Sequence, residues 1–120
     1  MLVAYSFGAE VMPFVFNLLP MDLSTMVVNI SLLSPSTYTD FEIHLLPIFE
    51  SSDAKSESVI AALNKISSKP LTLIFGREEN NFPVSQLKIN NYTTVVLNGG
   101  HHYDGDKIKL CQAIIQHTPQ

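Results

Sequence analysis

Three short apolar runs constrain this chain more than any other feature. They are T-M-V-V-N-I-S-L-L over Thr25–Leu33, P-L-T-L-I-F over Pro70–Phe75 and Y-T-T-V-V-L over Tyr92–Leu97. Each is followed by breakers: Ser34-Pro35-Ser36, Gly76 and Gly99-Gly100. The first two are apolar nearly throughout, the pattern of strands covered on both faces, as in a parallel sheet packed between helices. Leu2–Tyr5 reads as the end of a further strand. Helical patterns lie between and after these runs. Gly8–Leu19 is one, with Pro13 in its early turns, where a missing N–H costs least, and Pro20 as its stop. The i, i+3, i+4, i+7 spacing places Val11, Phe14, Val15 and Leu18 on the inner face and leaves Glu10 and Asn17 outside. Asp53–Ser67 is a second helix, striped by Val59, Ile60, Leu63 and Ile66. Asp104–His117 is a third, capped by Asp104 and turning Ile108, Cys111, Ile114 and Ile115 inward. Tyr38–Glu50 fits either a strand or a surface excursion, and Arg77–Asn91 is loop with one short helix after Pro83.

Strands separated by helices require right-handed crossovers, so the expected fold is α/β: a mainly parallel sheet of about four strands with flanking helices. A length of 120 residues suits one domain, 1–120. Apolar residues make up 46% against 15% charged, which favours a packed core over disorder. The six lysines and one arginine are scattered and the net charge is −4, so nucleic-acid binding is not expected. Cys111 is the sole cysteine, which excludes an internal disulfide and faces the helix core in this reading. Val11–Leu19 imitates the apolar centre of a signal peptide, but no Lys or Arg precedes it, Glu10 interrupts it, and prolines punctuate it. Neither a leader nor a membrane span is expected there.

In parallel sheets the reactive loops lie at the carboxyl ends of the strands, and the polar groups of interest follow predicted strands. In A-Y-S-F-G, Ser6 sits where a strand turns sharply into a helix. Such an elbow holds a serine Oγ away from the backbone, and Ala4 and Gly8 are the small residues that let strand and helix approach. Alanine stands where glycine is usual. A serine attacks only when a base takes its proton. In the chain order serine, acid, histidine, N-G-G-H-H-Y-D-G-D supplies His101, directly after Gly-Gly, with His102 in reserve. F-G-R-E-E-N supplies the acid, Glu79 by its spacing from Gly76, with Glu78 in reserve. The N–H of Phe7, the residue after the nucleophile, is the expected oxyanion donor. A rival reading takes His101, His102, Asp104 and Asp106 as N and O ligands of a metal, but no calcium-loop pattern accompanies them, and neither metal nor cofactor is expected. His44 and His117 have no partner that the sequence identifies.

With these groups in order, the chain resembles the α/β-hydrolase fold, and more closely the bacterial virulence family of VirJ and the related AcvB. The resemblance rests on Y-S-F-G-A-E-V-M-P-F, I-S-L-L, F-E-I-H and G-G-H-H-Y-D-G-D, and it covers nearly all 120 residues. It implies a periplasmic serine hydrolase linked to virulence and to type IV secretion in plant-associated bacteria. For AcvB-like members it implies cleavage of the aminoacyl ester of lysyl-phosphatidylglycerol. The implied partners are a small-molecule or lipid ester and type IV secretion components. Family members carry a long segment before the elbow, where this chain has five residues. The resemblance therefore implies the C-terminal half of a hydrolase domain with the N-terminal half missing. A strand at Leu2–Tyr5 with an open edge would then self-associate or pair with that missing half. The alternative function is accordingly a catalytically inactive remnant that acts by association, and after it the metal-binding module.

Overall fold

The structure, a computed structural model, describes residues 1–40 and 56–119. A four-stranded sheet forms its centre. β1 (Leu2–Tyr5), β2 (Ile30–Leu33), β5 (Leu71–Gly76) and β6 (Tyr92–Leu97) lie in that order, every neighbouring pair parallel. A small antiparallel pair, β3 (Tyr38–Thr39) and β4 (Glu57–Ser58), stands apart from it. The helices are α1 (Phe7–Asn17), α2 (Met21–Met26), α3 (Val59–Leu63) and α4 (Lys107–Gln116). This is the expected α/β architecture. Among the described residues no helix is long and apolar enough to cross a membrane.

All six residues of β5 are buried, which is why P-L-T-L-I-F lacks an outward polar face. On one side of the sheet α1 and α3 close a core of Ala4, Ala9, Phe16, Leu32, Val59 and Leu73. On the other side α4 brings Ala113, Leu110 and Ile114 over Leu33, Ile74 and Val95. Val59, Ile60, Leu63 and Ile66 are all buried, as their stripe predicts. The helix is shorter than expected, Val59–Leu63, so Ile66 packs from beyond its end. It starts at Ser58, whose hydroxyl accepts from the Ala61 N–H at 3.1 Å. Positions 53–55 of that expected helix, and most of Tyr38–Glu50 with His44, lie outside the described residues. The short helix after Pro83 is a 3-10 turn, Val84–Gln86.

Three expectations are corrected. The run Thr25–Leu33 is strand only from Ile30. Its first two residues close α2, where the Ser24 and Thr25 hydroxyls turn back to the carbonyls of Met21 and Asp22. In α1 the buried residues are Ala9, Pro13 and Phe16, whereas Val15 is 45% and Leu18 84% exposed. Asn17 is exposed as expected, but Glu10 is half-buried. This helix is apolar on nearly every side, so its hydropathy does not choose a face. The turn at Ser6 sets its phase. In α4 the same ambiguity misleads: Ile108, Ile115 and Cys111 are exposed, and Leu110, Ala113 and Ile114 face the sheet. Asp106, not Asp104, is its N-cap, accepting from the Lys109 N–H at 3.0 Å. Asp104 belongs to a 3-10 turn, Tyr103–Gly105, that delays the helix by three residues.

Candidate active site

The carboxyl ends of β1, β5 and β6 converge, and with them the residues that the sequence singles out. Ser6 directly follows β1. Its N–H still bonds the Leu33 carbonyl of β2 at 2.9 Å, while its own carbonyl accepts from the Ala9 and Glu10 N–H groups as α1 starts. Strand pairing and helix therefore meet at one residue, which adopts φ 55°, ψ −124°. A side chain other than glycine's is strained there, at a cost of ~1–3 kcal/mol, and such strain persists only where its surroundings enforce it. The Phe7 N–H is the first of the helix's orphan donors and has no acceptor among the described residues. Gly8 is less tightly constrained than its place in the motif suggests. A Cβ there would lie 3.9 Å from the Ala4 Cβ, an ordinary contact.

The turn after β6 is tied to the end of β5. Arg77 N–H bonds the Leu97 carbonyl at 2.7 Å, and Glu78 N–H bonds the Gly99 carbonyl at 3.1 Å. Gly76 makes that approach feasible, since a Cβ on it would sit 2.2 Å from the Gly100 carbonyl oxygen. Gly99 has φ 90° and passes against the Asp104 carboxylate, so neither position accepts a side chain.

On this frame His101 bridges the other two groups. Its Nε2 lies 2.9 Å from Ser6 Oγ and its Nδ1 2.9 Å from Glu79 Oε1. Glu79 Oε2 accepts from Ser34 Oγ and from the Gly76 N–H, each at 2.7 Å. Burial pushes the Glu79 carboxyl up, but the hydrogen bonds from Ser34, Gly76 and His101, together with the His101 charge, outweigh it. The net effect holds Glu79 below the usual glutamate value. The anion thus prefers the partners it has: with Glu79 ionised, His101 donates from Nδ1 and presents Nε2 as the acceptor toward Ser6.

The reserve residues point elsewhere. His102 Nδ1 lies 2.9 Å from the Tyr5 hydroxyl, which donates to the His101 carbonyl at 3.1 Å. Glu78 is exposed and borders a cavity of about 450 Å³ together with Ser34, Thr37, Phe75, Phe82 and His101. The cavity adjoins the acid–base side of the site and has ligand-sized volume. Ser6 is not among its lining residues. Among the described residues no three His, Cys, Asp or Glu side chains are grouped to hold a metal. Of the four residues in the metal reading, His101 turns to Ser6 and Glu79, His102 to Tyr5, and Asp106 to Lys109. His117 Nδ1 donates to the Ala113 carbonyl at 2.8 Å, within its own helix.

Two participants were missed by the sequence reading. Ser34 is 4% and Tyr103 3% exposed, and their hydroxyls are 2.6 Å apart. Burial raises the Tyr103 phenol to about 12, with the bond to Ser34 pulling it down and the Glu79 charge pushing it up, so it stays protonated at neutral pH. Ser34 was legible in principle. It stands one residue past the carboxyl end of β2, the same position that singled out Ser6 after β1.

The model of a family described as bacterial virulence protein (VirJ) matches residues 1–120. Comparison with curated proteins and with solved structures found no match.

Proposed function

The chain belongs to the VirJ family of bacterial virulence proteins, and we propose that within it the Ser6 site works as a carboxylic-ester hydrolase. One observation carries the reading: two hydrogen bonds of 2.9 Å link Ser6, His101 and Glu79 in the order nucleophile, base, acid, with the nucleophile on a strained elbow. Ser6 Oγ attacks the ester carbonyl as His101 Nε2 takes its proton. Glu79 holds the ring and stabilises the imidazolium that results. The Phe7 N–H donates to the oxyanion, a contribution whose loss typically costs about 10²–10³ in rate. The imidazolium then protonates the departing alkoxide. In the second half, His101 takes a proton from water, the hydroxide opens the acyl-enzyme, and Ser6 regains its proton. The narrower substrate, an aminoacyl ester of phosphatidylglycerol, rests on the family resemblance alone, as do a periplasmic setting and type IV secretion partners. Ester turnover tests the reading: the native protein hydrolyses a short activated ester well above background, and Ser6→Ala returns it to background. Equal rates for the two would remove the hydrolase reading.

A second reading has its own support. Val3 and Tyr5 of β1 are 43% and 42% exposed, and among the described residues β1 pairs only with β2. An open, apolar strand edge favours association with another chain. Solution mass measured at several concentrations decides this: a monomer throughout excludes self-association.

A further inference from the structure

We propose that Ser34 and Tyr103 are positioning residues for Glu79: a hydroxyl relay from Tyr103 through Ser34 fixes the carboxylate so that its other oxygen meets His101. The inference rests on the hydrolase reading of the site. The two carboxylate oxygens divide the work. Oε1 faces His101 Nδ1, and Oε2 is held by Ser34 Oγ and the Gly76 N–H. A rotation that freed Oε2 would also swing Oε1 away from the imidazole.

Counting protons gives the relay its direction. Ser34 and Tyr103 have one hydroxyl proton each, but their oxygens make three contacts: with Glu79 at 2.7 Å, with each other at 2.6 Å, and from Tyr103 to the Ile74 carbonyl at 2.9 Å. The ionised carboxylate can only accept, so the Ser34 proton goes to Glu79. The Tyr103 proton is then the one available to the Ser34 oxygen. The Ile74 carbonyl keeps a partner regardless, because the Ser34 N–H reaches it at 2.8 Å. Tyr103 therefore stops the Ser34 hydroxyl from turning away from the acid. The short 2.6 Å separation suits such a chain of polarised hydroxyls in a buried setting.

The backbone carries the same message. Ser34 has φ 50° and Tyr103 φ 53°, in the left-handed region that favours glycine. Ser6 and Asp104 share it, with φ 55° and 53°. Such strain persists only where the surroundings enforce it, and here the two strained residues meet hydroxyl to hydroxyl at 2.6 Å. Tyr103 does not line the cavity that Glu79 and His101 border, and its hydroxyl reaches Glu79 through Ser34.

Two variants separate positioning from packing. Tyr103→Phe removes only the hydroxyl. Ser34→Gly removes the hydroxyl and also relieves the positive φ, so the fold is maintained or strengthened. Each is followed by carbon-13 NMR titration of the Glu79 carboxyl and by ester kinetics. The titratable groups facing Glu79 are His101 and, through Ser34, Tyr103, so the His101 ring is followed in the same samples. The expected result is a Glu79 midpoint that rises in both variants, more in Ser34→Gly, because the ionised form has lost donors. Tyr103→Phe lowers kcat about 10-fold at unchanged KM, less than the 10²-fold that a 1 Å misplacement can cost. In a Glu79→Gln background neither substitution lowers kcat further, because the group they position is gone. An unmoved Glu79 titration in Ser34→Gly, or full additivity with Glu79→Gln, overturns the relay. If the native protein turns over no ester, the hydrolase reading fails, while the Glu79 titration still decides the relay.

Discussion

Gly76→Ala should uncouple the histidine turn from the rest of the site. The added Cβ would lie 2.2 Å from the Gly100 carbonyl oxygen and 2.6 Å from that of Gly99. Ordinary contact begins near 3.4 Å, so the end of β5 and the turn after β6 must separate by about 1 Å. Both atoms met are backbone, the Gly99 oxygen held by the Glu78 N–H and the Gly100 oxygen by the Tyr103 N–H, so no side chain can swing aside. The displacement falls between Glu79 and His101, because Gly76 donates to Glu79 and Gly100 precedes His101. A misplacement of about 1 Å at such a site typically costs ~10²-fold in rate. Overpacking adds ~1–3 kcal/mol of destabilisation, or roughly 4–12 °C in Tm for a domain of this size. Ester kinetics and a thermal melt measure both losses. Gly8→Ala is the internal comparison: its Cβ meets only Ala4 at 3.9 Å, and alanine is the better helix former by ~1 kcal/mol. It should melt no lower than the native protein. A Gly76→Ala protein that matches the native one in both rate and Tm, or a Gly8→Ala protein that is the more damaged of the two, would show that the close approach at Gly76 does not hold the site together.

Further outcomes follow from the same geometry. Glu79→Gln should lower kcat by about 10²–10⁴, because the amide no longer enforces the imidazole tautomer. It should also flatten the acid dependence of stability. The Glu79 pKa is depressed from 4.5, so its contribution is complete above that value and lost as pH falls through the folded-state pKa. Urea unfolding of native and variant proteins at neutral and acid pH should show the gap between them close on acidification; a constant gap would contradict it. On α1, Phe16→Ala should cost ~3–5 kcal/mol at a 6% exposed site, and Leu18→Ser, at 84% exposure, less than ~0.5 kcal/mol. Chemical unfolding of the two would reverse in rank if the helix instead buried the face that holds Val15 and Leu18.

The sheet was legible because buried parallel strands leave a strong mark: P-L-T-L-I-F has no other good use in a small domain. Ser6, Glu79 and His101 were legible because each closes or follows a strand, and the structure brings all three together. Helix faces were not. α1 and α4 are apolar on two stripes, so periodicity alone offers two phases, and long-range constraints choose between them. For α1 the choice is made by the turn at Ser6. For α4 it is made by the 3-10 turn at Tyr103–Gly105, which moves the cap from Asp104 to Asp106. Thr25 and Met26 look like strand residues but lie in α2, where hydroxyls bonded to preceding carbonyls close a short helix after Pro20. Ser34 and Tyr103 went unnoticed because a lone serine before proline and a tyrosine beside two histidines carry no motif. Their role appears only when β2, β5 and the turn after β6 are side by side.

On the proposed reading Ser6 is a nucleophile activated by His101. Incubation with a fluorophosphonate, followed by mass spectrometry of the Ser6 peptide, tests it without assuming any substrate. A stoichiometric phosphonyl adduct on Ser6 is expected in the native protein and a labelling rate at least ~10²-fold lower in His101→Ala, with His102→Ala labelled at the native rate. No adduct on Ser6, or equal labelling of the native protein and His101→Ala, would contradict it.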